Sequence, residues 1–199
     1  MFIPTEDIIF VVVHNRHYYN KRYEDGYGGF ADIPEADDDA INVKMGMERL
    51  GAKDITDISD ASHKDFIDIF SEKTRSKLRE EGEKGKKKVV FFYYAGHGVS
   101  NNNMTSAVLN EELNFPIQSE LYKLAKIPNT YIVAVLDCSR ENDPAEKEHL
   151  QGKNATFANA NIGEEDGSNI IISFGCPPSS SGRPVKSTMS VNYFEHIRE

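Results

Sequence analysis

Gly96-His97-Gly98 places an imidazole between two residues that have no side chain. Glycine opens backbone conformations closed to other residues and lets a substrate approach closely. A histidine held there can take up or give out a proton near neutral pH. Taken alone, the tripeptide reads more plainly as a loop histidine satisfied by a local hydrogen bond. Further along, Asp137-Cys138-Ser139-Arg140 sets two possible nucleophiles side by side. A thiol beside an imidazole readily becomes a thiolate. A serine does the same work only with a stronger base arrangement and a good oxyanion hole. Adjacent side chains leaving a strand point to opposite sides, so Cys138 and Ser139 are not both expected to face His97. For Cys138 alone the plain reading is a small buried hydrophobe. The other histidines, His14, His17, His63, His149 and His196, read as surface or packing residues.

The surrounding pattern predicts how these residues are carried. Ile8 to Val13 is an unbroken apolar run, as in a strand covered on both faces. A polar, aromatic loop, His14 to Gly29, follows it, and such a loop often borders a site. Ala36, Ala40, Val43, Met47 and Leu50 form one helical stripe, with Asp37, Asp38 and Asp39 in the first turn and Gly51 as its stop. Ile55 to Ile58 is a short strand. Ser62-His63-Lys64-Asp65 reads as a loose capping box for one helix carrying Phe66, Ile67, Ile69, Phe70 and Leu78. Its charged continuation, Lys77 to Lys88, reads as a solvated face. Val89 to Tyr94 is a strand running into His97. Val108 belongs to a small hairpin, and Pro116 starts a helix through Leu121 and Leu124. Tyr131 to Leu136 and Ile170 to Phe174 are further strands, separated by a polar excursion, Glu141 to Ser168. The stretch from Ser190 is expected to be helical.

Strand alternating with helix predicts an α/β fold, a mostly parallel central sheet with helices on both faces. Sites in such sheets lie beyond the carboxyl ends of the strands. His97, Asp137 to Arg140, and Gly175 to Ser181 all fall there. If the third and fourth long strands are neighbours, His97 and the Cys138/Ser139 pair share one rim.

Composition narrows the classes. The chain has 199 residues, 39% hydrophobic and 28% charged, within the range of one globular domain. The net charge of −9 argues against nucleic acid as the main partner, which would call for a basic face. No apolar run approaches the ~20 residues of a membrane span, and Met1 to Asp7 lacks the basic-then-apolar order of a secretory signal. Cys138 and Cys176 are too few for a disulfide scaffold. The expectation is an intracellular, cytoplasmic location with free thiols. No phosphate-binding glycine motif occurs, which sets aside a nucleotide-binding protein.

Phe92-Tyr93-Tyr94-Ala95-Gly96-His97-Gly98 followed by Val135-Leu136-Asp137-Cys138-Ser139-Arg140 resembles the caspase-fold cysteine peptidases, the paracaspases above all and the metacaspases next. The spacing, 139 − 97 = 42 residues, lies near the separation of roughly 50 noted for caspases. The resemblance extends loosely from Ile8 to the end of the chain. It implies a single caspase-like domain over residues 1–199 without the family's last strand, which often forms the dimer edge. It implies His97 as the dyad histidine, the Gly98 backbone as part of the oxyanion hole, and Asp39 and Asp137 as acids of the S1 pocket. Paired carboxylates select arginine or lysine. It implies a polypeptide substrate or protein partner and no cofactor. Calcium stays open, because metacaspases often use it and paracaspases generally do not. Asp37-Asp38-Asp39 and Glu164-Glu165-Asp166 could bind it, although helix capping or solvation is their plainer role.

Two departures stand beside the resemblance. The family's nucleophile lies two residues after the aspartate, where this chain has Ser139, with Cys138 between. That reads as a natural pseudopeptidase, as an engineered Cys→Ser replacement, or as a shifted loop presenting Cys138. The stretch Gly175 to Arg183 carries no third S1 acid, and Arg183 has the opposite sign.

Overall fold

The structure is a computed structural model that describes residues 4, 7–18, 30–101, 104–109, 114–138, 141–142 and 169–175. In chain order its elements are β1 (Ile8–His14), α1 (Glu35–Arg49), β2 (Ile55–Ser59), α2 (His63–Ile69), α3 (Glu72–Glu83), β3 (Lys88–Gly96), β4 (Gly98–Asn101), β5 (Met104–Val108), β6 (Asn114–Phe115), α4 (Ile117–Ala125), β7 (Thr130–Cys138), β8 (Glu141–Asn142) and β9 (Ile170–Phe174). Ser139 to Arg140, the polar excursion from Asp143 to Ser168, and Cys176 onward, including the expected helix after Ser190, lie outside the described residues.

Five strands make one sheet in the order β2-β1-β3-β7-β9, and every neighbouring pair is parallel. The alternation of side chains along each strand feeds two cores. Val11, Val13, Val90, Phe92 and Tyr94 pack with Phe66 of α2, Leu78 of α3, and Leu121 and Leu124 of α4. Phe10, Val12 and Tyr93 pack on the other face with Ala36, Ala40, Val43 and Met47 of α1. Helices therefore cover both faces, as the strand–helix alternation predicts. A second sheet, β6-β5-β4-β8, grows from the chain just after His97. The sequence foresees it only as a hairpin around Val108.

Three local outcomes refine the reading. The Ser62 capping box forms, with the Ser62 hydroxyl accepting from the Asp65 N–H at 3.3 Å and Asp65 accepting from the Ser62 N–H at 2.8 Å. The expected single helix behind it is two. Phe70 turns into the core at 5% exposure, and Ser71 caps a new helix by accepting from the Thr74 N–H at 3.3 Å. Leu50, expected to end the apolar stripe of α1, is 52% exposed, while Gly51 takes φ 95° as the helix stop.

The break between α2 and α3 is pinned by Arg75. Its Nε donates to the Phe70 carbonyl at 3.0 Å, and its guanidinium meets Glu120 of α4 at 2.5 Å. Both side chains are largely enclosed, at 16% and 14% exposure. Removing one partner strands the other charge in a poorly solvated place. Arg75→Ala should therefore cost about 2 kcal/mol, lowering Tm by roughly 6 °C in a chain of this size. A thermal melt at neutral pH checks it.

Candidate active site

His97 sits just past the end of β3, and the β3–β7 ladder decides what lies beside it. The register runs from Lys88↔Thr130 to Ala95↔Asp137 and Gly96↔Cys138. The carboxyl ends of the two strands are thus side by side. Alternation then separates the residues on β7. Cys138 is 3% exposed and packs in the same core as Tyr94 and Val13. Asp137 faces the other way, toward Tyr93. Ser139 and Arg140, the next residues along, lie outside the described residues, as does Cys176.

Two tyrosines hold the His97 backbone. Tyr94 Oη donates to the His97 carbonyl at 2.8 Å, and the His97 N–H donates to Tyr18 Oη at 2.8 Å. Tyr94 belongs to one core and Tyr18 to the other, yet their hydroxyls meet over Gly96. A Cβ on Gly96 would lie 2.6 Å from each hydroxyl oxygen. The glycine before His97 is therefore needed for space. Burial pushes both phenols well above their ordinary pKa of 10.0, so both stay protonated; the Tyr18 shift is partly opposed by the His97 N–H.

The His97 ring is held as well. Nε2 lies 2.8 Å from the Ala31 carbonyl oxygen. A carbonyl only accepts, so Nε2 carries a proton, and in the neutral ring Nδ1 is the nitrogen without one. Tyr18 packs edge-on against the ring at 4.6 Å between centroids, and Phe30 lies at 4.8 Å. Sequence reasoning placed Tyr18 only in a loop bordering a site. Ala31 acts through its backbone, which no side-chain pattern can signal.

The segment that delivers Tyr18 is fastened at several points. Asn15 is fully buried; its N–H donates to the Ala95 carbonyl at 2.9 Å, and its Oδ1 accepts from the Ala61 N–H at 2.8 Å. Asp60 accepts from the backbone N–H groups of Arg16 and His17 at 2.8 and 2.9 Å and pairs with the His17 ring at 2.6 Å. Burial pushes the Asp60 carboxyl pKa up, but these hydrogen bonds together outweigh it and hold the pKa below 3.8. A pKa lowered by folding adds stability that is present above the unfolded value and lost as pH falls through the folded one. Asp60→Asn keeps the φ of 47° accessible, since asparagine tolerates that region. It should lower Tm by roughly 3 °C at pH 7, a figure discounted for solvent screening. That gap should close in melts below the carboxylate range.

Asp137 and Asp39 converge on a third tyrosine. Tyr93 Oη donates to Asp137 Oδ2 at 3.1 Å. Burial first, then the charges of Asp137 and Asp39, raise the Tyr93 pKa well above its ordinary value. Both acids named in the sequence thus act on one buried hydroxyl. Gly175 closes over Asp137 from β9, and a Cβ there would collide with the Asp137 carboxylate. Gly98 is buried at the start of β4, paired with Ala107 of β5.

The histidines assigned to packing are engaged elsewhere. His14 lies with Nδ1 2.8 Å from Asp37 and Nε2 3.3 Å from Asp57, and Arg16 also reaches Asp37 at 3.0 Å. His63 packs edge-on against Phe115. Among the described residues, no group of three His, Cys, Asp or Glu is arranged to hold a metal ion. Glu164 to Asp166 lie outside them. No described helix is long and apolar enough to cross a membrane.

Residues 10–189 match the Caspase domain family along most of the chain. The chain belongs to the caspase domain family. Its five parallel strands with helices on both faces are the architecture that the resemblance implies, and a peptidase-type activity is the function this family carries. No curated protein sequence matches this chain. Among solved structures it is similar to protein GSU0716 from Geobacter sulfurreducens, at 17% identity and a TM-score of 0.45, over 74% of this chain and 56% of that one. The chain spans little more than half the length of that protein.

Proposed function

We propose that this caspase domain is an endopeptidase unit of the paracaspase type, a single domain over residues 1–199, built to cut polypeptides after arginine or lysine and held silent by Ser139. The β3–β7 register supports this reading: it sets Gly96, the residue before His97, opposite Cys138, the residue before Ser139. The burial of Cys138 supports position 139 as the nucleophile rather than a shifted loop.

His97 Nδ1 takes the proton from the nucleophile at position 139, which attacks the carbonyl carbon of the P1 residue. The oxyanion that forms is met by backbone N–H groups near Gly98. His97 then gives its proton to the leaving amine as the C–N bond breaks, and water hydrolyses the acyl intermediate by the same route. Asp39 and Asp137 supply the negative pocket for a P1 guanidinium or ammonium. A serine at 139 lacks the low-pKa thiolate that a single histidine can sustain, so turnover by the chain as it stands is little or none. No cofactor enters these steps.

A second reading is a non-catalytic binding or scaffold domain. Ser139 and the lack of an acid between Gly175 and Arg183 favour it. One experiment separates the two. The chain and its Ser139→Cys variant are assayed on fluorogenic peptides with Arg, Lys or Asp at P1, with and without calcium, and with His97→Ala as control. Cleavage after Arg or Lys that appears with Ser139→Cys and vanishes with His97→Ala supports the peptidase unit. Silence of the cysteine variant on every peptide hands the domain to the binding reading.

A further inference from the structure

We propose that Tyr18, through its hydroxyl, is the positioning residue that sets the orientation and tautomer of His97; the proposal rests on His97 being the proton-transfer group of the site. His97 follows β3 directly, past the last β1–β3 pair, His14↔Ala95, and its N–H goes to a side chain. Tyr18 Oη takes that N–H at 2.8 Å, while Tyr94 Oη and the Val108 N–H fix the carbonyl at 2.8 and 2.9 Å. With both ends of the residue held, the ring lies with Nε2 2.8 Å from the Ala31 carbonyl oxygen.

Tyr18 alone among these groups touches both the backbone and the ring of His97, the latter edge-on at 4.6 Å. It is also tied to the segment that supplies the ring's acceptor. The Tyr18 N–H donates to Asp32 Oδ1 at 2.9 Å, and the Ile33 N–H donates to the Arg16 carbonyl at 2.8 Å. Residues 15–18 and 30–33 are therefore one clasp, which arrives from outside β3 and carries both restraints on His97. Its docking decides which ring nitrogen is basic.

Tyr18→Phe removes only the oxygen and leaves the ring contact in place. On the chain as it stands, long-range ¹H–¹⁵N NMR of the His97 ring should show mainly the Nε2–H tautomer. In Tyr18→Phe the two tautomers should mix and the midpoint of ring titration should move. In the Ser139→Cys background, Tyr18→Phe should lower kcat about tenfold, the loss of one hydrogen bond, with KM within twofold. The acidic limb of its pH profile should move with the NMR midpoint. Tyr122→Phe removes a hydroxyl that meets Gln118 Nε2 at 3.4 Å, away from His97, and should change none of these readings.

If Tyr18→Phe does not fold, Asp32→Ala tests the same clasp from its surface side, with a smaller shift in the same direction. Unchanged His97 ring signals, or an unchanged kcat in an active Ser139→Cys chain, would overturn the proposal. If the Ser139→Cys chain is inert, the peptidase reading fails and the NMR comparison alone still decides on Tyr18.

Discussion

Asp137→Asn, made in the Ser139→Cys chain, should lower kcat/KM for an arginine-P1 peptide about a hundredfold. Losing one charged partner from an enclosed ion pair costs about 3 kcal/mol, which is that factor. The substitution is chosen to leave the fold alone. Asparagine has the shape of aspartate, so it fits between Tyr93 Oη at 3.1 Å and the backbone of Gly175, and its Oδ1 still accepts from Tyr93. Asp39→Asn should act in the same direction. Paired substitution should fall short of the sum of the two, because both charges act on Tyr93. Steady-state kinetics on arginine, lysine and neutral P1 peptides check the result. An equal loss on the neutral peptide would move Asp137 from selectivity to general architecture.

Gly96→Ala should be the most disruptive single change at the site. Its methyl carbon would stand 2.6 Å from Tyr18 Oη, 2.6 Å from Tyr94 Oη and 2.9 Å from Tyr94 Cζ. Tyr94 is fully buried and Tyr18 is 6% exposed, so neither ring has space to retreat. Overpacking of this kind costs about 3 kcal/mol, a fall in Tm of roughly 9 °C. The retreat of either hydroxyl also releases a backbone group of His97, so the Ser139→Cys chain should lose activity at least a hundredfold. A double variant makes the test specific. Adding Tyr18→Phe removes one of the clashing oxygens, so the pair should be more stable than Gly96→Ala alone. Simple additivity of the two losses would contradict the steric account.

How much of this was readable from the residues alone can be judged element by element. Ile8 to Val13 and Val89 to Tyr94 are apolar runs because both faces of β1 and β3 are covered; Tyr131 to Leu136 and Ile170 to Phe174 read alike, although Ile171 on the edge strand β9 is 66% exposed, and the four runs together made the parallel sheet plain. The shared rim of His97 and Asp137 followed once β3 and β7 proved adjacent. Phe70 and Ser71 concealed a break, since two capped helices in succession show the same apolar spacing as one until the second cap is weighed. The dipeptide Tyr93-Tyr94 reads as two core residues. Strand alternation sends Tyr93 to the acid pair and Tyr94 to the His97 backbone, a division of labour that needs the sheet to be seen. Tyr18 and Ala31 reach His97 from a loop distant in sequence, and Ala31 does so with a carbonyl that every residue has.

The burial of these three phenols has an optical consequence. The chain contains nine tyrosines and no tryptophan, so its near-ultraviolet absorbance belongs largely to tyrosine. Tyr18, Tyr93 and Tyr94 keep their protons in the folded chain well past 10.0, where an exposed phenol ionises. Because folding raises these pKa values, the stability they add is intact below the unfolded phenol range and drains away as the solution becomes more alkaline. Their phenolate absorbance therefore arrives with unfolding rather than as an independent titration. The residues that grip His97 and Asp137 thus double as a chromophore, and in alkali that colour records whether the rim around His97 is still assembled.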